Sequence, residues 1–289
     1  MASQDYSQYF DAYYFAHCCG RPYQRDETWL GFFDAIAKRI VQDICPSTVL
    51  DVGCAWGFLV ERLRQRGVEA YGLDVSEFAI QHVHPDVQPY CWVGSAAEPF
   101  PMKYDLIVCI EVLEHMLRDE TEKAIENFCA HSEGVLFSST PFDYKEPSHV
   151  NVQPPEHWSE LFAKHGFFRD VDFDASVITP WAVRYQRTGT PLSRLVRAYE
   201  RKFFLLWKEN LDLRSQALEM QNELAALERQ LGELKKSSSD LEQQTEQARA
   251  ELHAIVNSRG WRLLNILYRI RLTIAPQGSR RERLLFPRK

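Results

Sequence analysis

The segment at residues 49–58 constrains the fold more than any other part of the chain. It reads Val-Leu-Asp-Val-Gly-Cys-Ala-Trp-Gly-Phe, an apolar run with an acid near its end, followed by Gly53 and Gly57. Glycine is needed where a backbone turns with positive φ or approaches a ligand closely. The segment therefore predicts a buried strand, a tight turn and a helix over residues 58–66. Its spacing differs from Gly-x-Gly-x-x-Gly, which places a pyrophosphate at a helix N-terminus.

Short apolar runs alternate with helical stretches from residue 30 to about residue 187. Strands are predicted at 49–52, 70–74, 90–93, 105–110 and 134–138, and near 167–173 and 177–185. Helices are predicted at 58–66, 76–83, 121–131 and 155–165. This alternation indicates a mostly parallel sheet with helices on both faces. The predicted class is α/β, with a doubly wound, seven-stranded, Rossmann-like sheet.

Three further sequence elements follow the glycine turn in order. Asp74 closes the second strand, 21 residues after Gly53. An acid at this position can accept hydrogen bonds from both ribose hydroxyls of an adenosine. Gly-Ser-Ala-Ala-Glu at 94–98 follows the third strand, and Glu-Val-Leu-Glu-His at 111–115 follows the fourth. Chance does not readily produce this combination of order and spacing.

These four elements resemble those of class I S-adenosylmethionine-dependent methyltransferases, in particular the small-molecule group with Glu-Val-Leu-Glu-His after strand four. The resemblance covers residues 13–187 and implies an enzyme whose cofactor is S-adenosyl-L-methionine. It implies cofactor contacts from Asp51, Gly53 and Gly57 around methionine and ribose, Asp74 at the ribose hydroxyls, Ser95 and Ala96 beside adenine, and Ile110 and Glu111 near the methionine end. The family often has Gly-Asp-Ala-Glu where this chain has Gly-Ser-Ala-Ala, so the usual acid at the adenine amine is replaced.

Two histidines are the candidate catalytic residues. A sulfonium methyl is already activated, so such enzymes mainly align and desolvate the reactants, with an optional general base. A histidine can take a hydroxyl proton at neutral pH. We predict His149 as the base and His115 as the second candidate, with a capping or packing role as the alternative for His115.

A metal ion is not predicted, although four residues of the sequence resemble a known set of metal ligands. Glu111, Glu114, His115 and His149 resemble the metal-binding set of small-RNA 2′-O-methyltransferases, and oxygen and nitrogen ligands at this spacing can hold a divalent cation. The same Glu-Val-Leu-Glu-His motif also occurs across metal-free relatives. The acidic body of the chain and the absence of a recognisable RNA-binding module weaken the comparison further.

A heptad pattern occupies residues 191–256. Apolar or small residues recur at 4,3 spacing: Leu213, Ala217, Met220, Leu224, Leu227, Leu231, Leu234, Ser238, Leu241, Thr245, Ala248, Leu252 and Ile255. A monomer would leave this stripe in water, so we predict a coiled coil that forms a homo-oligomer. A single long helix packed on the preceding domain is the alternative, and the charge pattern leaves parallel and antiparallel pairing open.

The segment 257–289 is strongly basic. It holds nine basic residues and one acid, a net charge of +8, whereas the whole chain carries −6. A short amphipathic helix is predicted here, with one apolar side made of Leu263, Leu267, Ile270 and Ile274. The interpretations are an anionic membrane surface, an acidic or glycan-assembly protein partner, a solvated tail, and a helix that packs on its own oligomer. The acidic remainder excludes nucleic acid as an expected partner.

The chain is predicted to contain four segments: an N-terminal segment at 1–29, the methyltransferase domain at 30–187, the coiled coil at 191–256 and the basic tail at 257–289. The first segment is predicted to form an aromatic lid over the cofactor pocket, with surface packing of helix ends as the alternative, and its rings are Tyr9, Phe10, Tyr13, Tyr14, Phe15 and Tyr23. Scattered cysteines without a Cys-x-x-Cys pair, and no secretory signal, predict a cytoplasmic protein, peripheral at the inner membrane face if the tail binds lipid.

The architecture resembles proteins of bacterial surface-polysaccharide assembly, which implies O-methylation of a sugar or glycan hydroxyl. The alternatives are a quinone-like or other small-metabolite acceptor, and a coiled-coil scaffold with an inactive methyltransferase fold.

Overall fold

The computed structural model describes residues 9–277 and 279–281, so predictions for residues 1–8, 278 and 282–289 lie outside the described part. The chain divides into two compact units, Met1–Phe203 and Phe204–Lys289. The first unit contains a seven-stranded sheet, and the second is helical.

The sheet confirms the predicted fold class. Its strands are β1 Thr48–Val52, β2 Glu69–Asp74, β3 Cys91–Val93, β4 Leu106–Ile110, β5 Gly134–Ser138, β6 Phe167–Arg169 and β7 Val183–Arg187. Their order is β3-β2-β1-β4-β5-β7-β6, with β7 antiparallel to both neighbours and the other strands parallel. The chain moves outward from β1 to β3 and then returns to place β4 on the other side of β1. Open α/β sheets bind ligands beyond the strand ends at such a reversal point.

Helices cover both faces of the sheet. They are α1 Ala12–His17, α2 Glu27–Asp43, α3 Phe58–Arg64, α4 Glu77–Gln81, α5 Arg118–His131 and α6 Pro155–Lys164, followed by α7 Leu192–Asn257 and α8 Arg259–Ile274. Asp26 caps α2 by accepting from two backbone N–H groups, and Ser76 caps α4 as its sequence position predicts. Because α2 begins at Glu27, it crosses the boundary predicted between residues 29 and 30.

The central strand β4 contributes side chains to the hydrophobic cores on both faces of the sheet. Ile107 and Cys109 pack into one core with side chains of α5 and α6. Leu106 and Val108 pack into the opposite core with side chains of α2 and α3. A strand buried on both faces must be apolar throughout, which accounts for the uninterrupted run in this part of the sequence.

Two of the predicted strands are wrong in extent. The segment 167–173 forms a strand only at Phe167–Arg169, and the predicted strand at 177–185 begins only at Val183. Ala175 and Ile178 are buried in the core against α2 and α3, but they belong to irregular backbone. Apolar residues that pack from a loop give the same local signal as a strand.

The helix α7 is continuous over 66 residues, and no side chain in it is buried. Its heptad leucines are more than half exposed, from 53 % at Leu231 to 68 % at Leu234. The helix agrees with the heptad prediction, and pairing with another chain stays a prediction. At Ser258 the chain leaves the helix, and its hydroxyl caps α8 by accepting from the N–H of Trp261. Among the described helices, none combines the length and apolarity needed to cross a bilayer.

Candidate functional site

A cavity of about 1250 Å³ lies at the carboxyl ends of the parallel strands. It is lined by residues at or just beyond the ends of β1, β2, β3 and β4 and by the segments that follow β5. Nine of the ten predicted site residues line it: Asp51, Gly53, Asp74, Ser95, Ala96, Ile110, Glu111, His115 and His149. The strands therefore bring together groups that are separated by almost a hundred residues in the sequence.

The first glycine makes the turn after β1 possible. Gly53 has a φ of 77°, and a Cβ at this position would overlap the side chain of Val112. Its N–H and that of Cys54 both donate to the carbonyl of Leu73, which ties the turn to β2. The turn thus needs glycine for its backbone conformation and for its close packing.

Gly57 lies at the start of α3, and its predicted contact with the cofactor stays a prediction. It precedes α3 with a φ of 70°, and a Cβ there would lie 3.2 Å from Val83 and 3.4 Å from the sulfur of Cys91. It does not line the cavity in the described part of the chain. Its requirement for glycine therefore arises from the turn and the packing below it, not from a ligand-facing surface.

Asp74 presents a buried carboxylate at the end of β2. One oxygen accepts from the N–H of Ala55 at 2.8 Å, and the other accepts from the N–H of Ser76 at 2.8 Å. Burial raises the pKa of Asp74, and these two hydrogen bonds oppose the increase. Each carboxylate oxygen has a second lone pair, so the fixed group can still accept from a vicinal diol. The arrangement fits an adenosine ribose.

Asp51 is the second buried acid in the cavity. Burial, reinforced by the negative charge of Asp74, raises the pKa of Asp51 to about 8. The carboxyl group is then largely protonated at neutral pH in the free protein. A positively charged ligand group beside it would favour the ionised form. A ligand that carries an ammonium or sulfonium group fits this environment.

The end of β4 holds Glu111 in an unusual backbone conformation. Its φ is 52°, which is uncommon for a residue with a side chain and marks local strain. Its carboxylate accepts from the indole N–H of Trp181 at 2.9 Å. Trp181 lies in the loop before β7 and also lines the cavity. Trp181 was not predicted as a site residue, because no local motif marks a contact across 70 positions.

His115 and His149 lie together, with ring centroids 4.6 Å apart. Nδ1 of His115 lies 3.2 Å from the carbonyl of Ser148, and Nδ1 of His149 lies 2.8 Å from the carbonyl of Asp143. A carbonyl can only accept, so both Nδ1 atoms carry hydrogen, and in a neutral ring the Nε2 atom then presents a lone pair. Burial, together with His149, lowers the pKa of His115 to about 4.

Tyr14 connects the histidine pair to the N-terminal segment. Its hydroxyl lies 3.4 Å from Nε2 of His115, where it can donate to the nitrogen lone pair. Burial raises the pKa of Tyr14 far above its ordinary value, so the phenol keeps its proton. The donor–acceptor pair is therefore neutral at physiological pH, and it fixes the orientation of the His115 ring.

Glu114 completes a group that could hold a divalent cation. Its Oε1 accepts from the N–H of Thr140 at 3.3 Å, whereas Oε2 is buried without a hydrogen-bond partner among the described residues. Burial and the charge of Glu111 raise the pKa of Glu114 well above its usual range. One ligand atom each from Glu114, His115 and His149 lies within 4.8 Å of the others. The structure therefore brings together three of the four residues compared with a metal set, although the sequence analysis predicts no metal.

Aromatic side chains form much of the remaining wall. From the N-terminal segment, the cavity is lined by Phe10, Tyr14, Phe15 and Tyr23. Other rings that line it are those of Trp29, Phe32, Phe33, Phe142, Tyr144 and Trp181. Tyr9 and Tyr13 are exposed, so only part of the predicted aromatic lid contributes to the wall. The surface suits a flat, apolar acceptor with a polar edge.

Residues 23–170 match a protein-family profile described as "Methyltransferase domain". The chain belongs to this family, whose methyl donor is S-adenosylmethionine. The structure of magnesium protoporphyrin IX methyltransferase from Synechocystis PCC 6803 with bound S-adenosylmethionine has a similar fold. The TM-score is 0.50 at 18 % identity, over 65 % of this chain and 100 % of that one.

Curated sequences give a second comparison. The ubiquinone biosynthesis O-methyltransferase of Azoarcus sp. (strain BH72) is 34 % identical over 100 residues, which are 32 % of this chain and 43 % of that protein. The protein of the same name from Neisseria meningitidis serogroup A is 32 % identical over 111 residues, 34 % of this chain and 45 % of that protein. This chain thus spans less than half the length of these curated relatives.

Proposed function

We propose that this chain transfers a methyl group from S-adenosylmethionine to a hydroxyl group of a small, quinone-like aromatic metabolite. The observation that carries the proposal is one cavity that joins a buried acid pair, Asp51 and Asp74, to a histidine pair and a wall of aromatic rings. The naming of the curated relatives as ubiquinone biosynthesis O-methyltransferases also favours this acceptor class. A sugar or glycan acceptor is less well supported, because it rests on the coiled-coil architecture alone.

The donor end of the cavity is suited to a charged nucleoside. When bound, S-adenosylmethionine supplies an electrophilic methyl group. Asp74 would accept from the ribose hydroxyls, and the turn at Gly53 would let its backbone approach the ligand. Asp51 and Glu111 lower the local potential where a positive charge enters, and Ser95 and Ala96 line the adenine side.

The acceptor end is suited to removing a proton from a hydroxyl group. His149 has a lone pair at Nε2 because its Nδ1 hydrogen is used by a carbonyl. It would accept the hydroxyl proton as the acceptor oxygen bonds to the methyl carbon and the bond from that carbon to sulfur breaks, which would leave S-adenosylhomocysteine, while His115 and Tyr14 form the neutral wall behind it. The aromatic rings exclude water from the reacting oxygen and hold the acceptor in line with the methyl group.

Calorimetric titration with S-adenosylhomocysteine tests the donor site. We expect micromolar binding by the wild-type chain and a loss of about tenfold or more in Asp74→Asn, since the amide replaces one of the two acceptor oxygens with an NH2 donor and removes the negative charge that strengthens the hydrogen bonds. Asp86→Asn, in an exposed turn, is the control and should bind like wild type. Equal binding by Asp74→Asn and wild type would contradict the assignment.

The acceptor class is tested by release of S-adenosylhomocysteine in the presence of catechols or of sugars. We expect turnover with the phenolic acceptors and a fall of about 100-fold or more in His149→Gln, which is the usual contribution of a general base. His84→Gln, in the segment after α4 and outside the cavity lining, is the control variant. Turnover with sugars alone would return the assignment to the glycan hypothesis.

The unpartnered Oε2 atom of Glu114 supports a second candidate mechanism. A divalent cation held by Glu114, His115 and His149 would lower the pKa of a hydroxyl group bound to it. Elemental analysis of the purified chain, and assays after chelation and Mg²⁺ addition, separate the two mechanisms. Activity that disappears on chelation and returns with metal supports the cation, whereas activity unchanged by chelation supports His149 as the base.

The helical segment adds two proposals about partners. The exposed heptad stripe of α7 supports self-association of the chain. The exposed Trp261 and Ile270 of α8, with basic residues between them, support peripheral binding to an anionic membrane. Both proposals can be tested separately from the chemistry of the cavity.

A further inference from the structure

The stripe on α7 has two alternating core positions. The first set, at positions a of the heptad, contains Ala217, Leu224, Leu231, Ser238, Thr245 and Leu252. The second set, at positions d, contains Leu213, Met220, Leu227, Leu234, Leu241, Ala248 and Ile255. All of these side chains are exposed in the single chain. These core side chains differ in size, so parallel and antiparallel pairing of two copies give different core packing.

Parallel pairing sets each core residue against the same residue of the next copy. Ser238, Thr245 and Ala248 would then form three weak layers within one short stretch. The flanking charges add a penalty, because Glu223 at position g would face Glu228 at position e of the neighbouring copy. Parallel pairing therefore gives three weakly packed core layers between Ser238 and Ala248 and a repulsive contact between Glu223 and Glu228.

Antiparallel pairing sets positions a against positions d. In one register each core residue n of one copy lies opposite core residue 479 − n of the second copy, so that positions a meet positions d. The layers are then Leu224 with Ile255, Leu227 with Leu252, Leu231 with Ala248, Leu234 with Thr245, and Ser238 with Leu241. Each of the three small or polar core residues faces a leucine, so large and small side chains alternate across the seam.

The flanking charges select the same register. At positions e, Glu228 meets Arg249 of the second copy and Lys235 meets Glu242, and each contact occurs twice because of the two-fold symmetry. A shift of one heptad step in either direction removes both attractions. One shift sets Glu228 against Glu242, and the other sets Lys235 against Arg249, in each case with a like-charge contact at the centre.

We propose that residues 222–257 of α7 pair with the same segment of a second copy as an antiparallel dimer centred between Ser239 and Asp240. This pairing covers the stripe from Leu224 to Ile255 with ten core layers, four of which contain Ser238 or Thr245, and with four opposite-charge contacts. The occupant of the surface is a second copy of this chain, because a second copy supplies both the size pattern and the charge pattern in reverse order. The inference rests on self-association of α7 and is independent of the proposed methyl transfer.

Charge reversal distinguishes the two orientations by the sign of its effect. In the full-length chain, Glu228→Arg should raise the dimer dissociation constant about tenfold, since it sets Arg against Arg249 twice. In a parallel assembly the same change would tighten association, because the new arginine would face Glu223. The double variant E228R/R249E should restore the wild-type constant. Glu246→Arg, at an outward position of the same helix, is the matched control. Sedimentation equilibrium measures all four chains.

Cross-linking gives an independent measure of register. Full-length Leu227→Cys and Leu252→Cys chains are mixed, allowed to exchange and oxidised, with wild type treated alike to account for its native thiols. A disulfide-linked dimer should form in the mixture and exceed the wild-type background, and neither variant alone should exceed that background. Linkage of Leu227→Cys chains alone, or a wild-type chain that sediments as a monomer at micromolar concentration, would overturn the proposal.

Discussion

The carboxyl group of Asp51 links the cavity to the stability of the first unit. Its pKa is about 8 in the folded protein, whereas an unfolded aspartate titrates near pH 3.8. Between these values the folded state binds one more proton than the unfolded state. The stabilising contribution is therefore complete below about pH 4 and is lost as the pH rises through 8.

We therefore predict that Asp51→Asn, which is neutral at every pH, removes this dependence. The stability of the wild type relative to the variant should fall by about 2–5 kcal/mol between pH 4 and pH 8. Urea unfolding of the ligand-free chains at several pH values measures the difference, with the exposed Asp86→Asn as control. A constant difference across this range would show that Asp51 is ionised in the fold.

Some of the site residues could be predicted from the sequence, and others could not. Asp51, Asp74 and Glu111 each lie at a strand end, and parallel strands bring their carboxyl ends to one edge. Their convergence therefore follows from the strand pattern. The contact from Trp181 to Glu111 depends on the path of a loop before an antiparallel strand, which local pattern does not determine. The unpartnered oxygen of Glu114 likewise emerges only from the packing around it.

At the level of secondary-structure elements, the β1–α3 turn is the most constrained segment. Gly53 and Gly67 have similar positive φ values, 77° and 83°, but only Gly53 is in close contact with another side chain. An alanine at Gly67 meets no heavy atom within 4 Å, so it should cost only the backbone strain, about 1 kcal/mol. An alanine at Gly53 must also displace Val112.

We predict that Gly53→Ala lowers the free energy of unfolding by about 2–4 kcal/mol, at least 1 kcal/mol more than Gly67→Ala. Gly53→Ala should also weaken binding of S-adenosylhomocysteine, because the added methyl group moves the turn beside the cavity. Urea unfolding and calorimetry of both variants measure the two effects. Equal losses of stability in the two variants would show that the overlap with Val112 relaxes without cost.

The elements predicted best are those with an unambiguous pattern. β4 was identifiable because burial on both faces requires an uninterrupted apolar run, and α7 because its 4,3 spacing extends over many turns. The region at 173–182 was not, because Ile178 reaches the core from a loop. In that region the apolar residues indicate burial. The residue types do not indicate whether the backbone also forms the hydrogen bonds that define a strand.

At the scale of the whole molecule, the feature that calls for a partner is the exposed apolar face of helix α8. The helix α8 carries four arginines and no acidic residue between Arg259 and Ile274. Its apolar side chains are exposed, including Leu263 and Leu267 at 62 % and 55 %. Either a lipid surface or another helix can cover such a face. Only the first is sensitive to lipid charge, since each basic residue near an anionic surface contributes about 1 kcal/mol.

We predict that the full-length chain sediments with vesicles containing anionic phospholipid, and that a chain ending at Asn257 stays in the supernatant. Neutral phosphatidylcholine vesicles should retain neither form, and raising the salt concentration to about 0.5 M should release the full-length chain, because screening shortens the range of the attraction. A full-length chain that remains in the supernatant with both vesicle types would show that α8 packs against protein instead. Loss of self-association in the shortened chain would then identify a second copy as its partner, in addition to the pairing of α7.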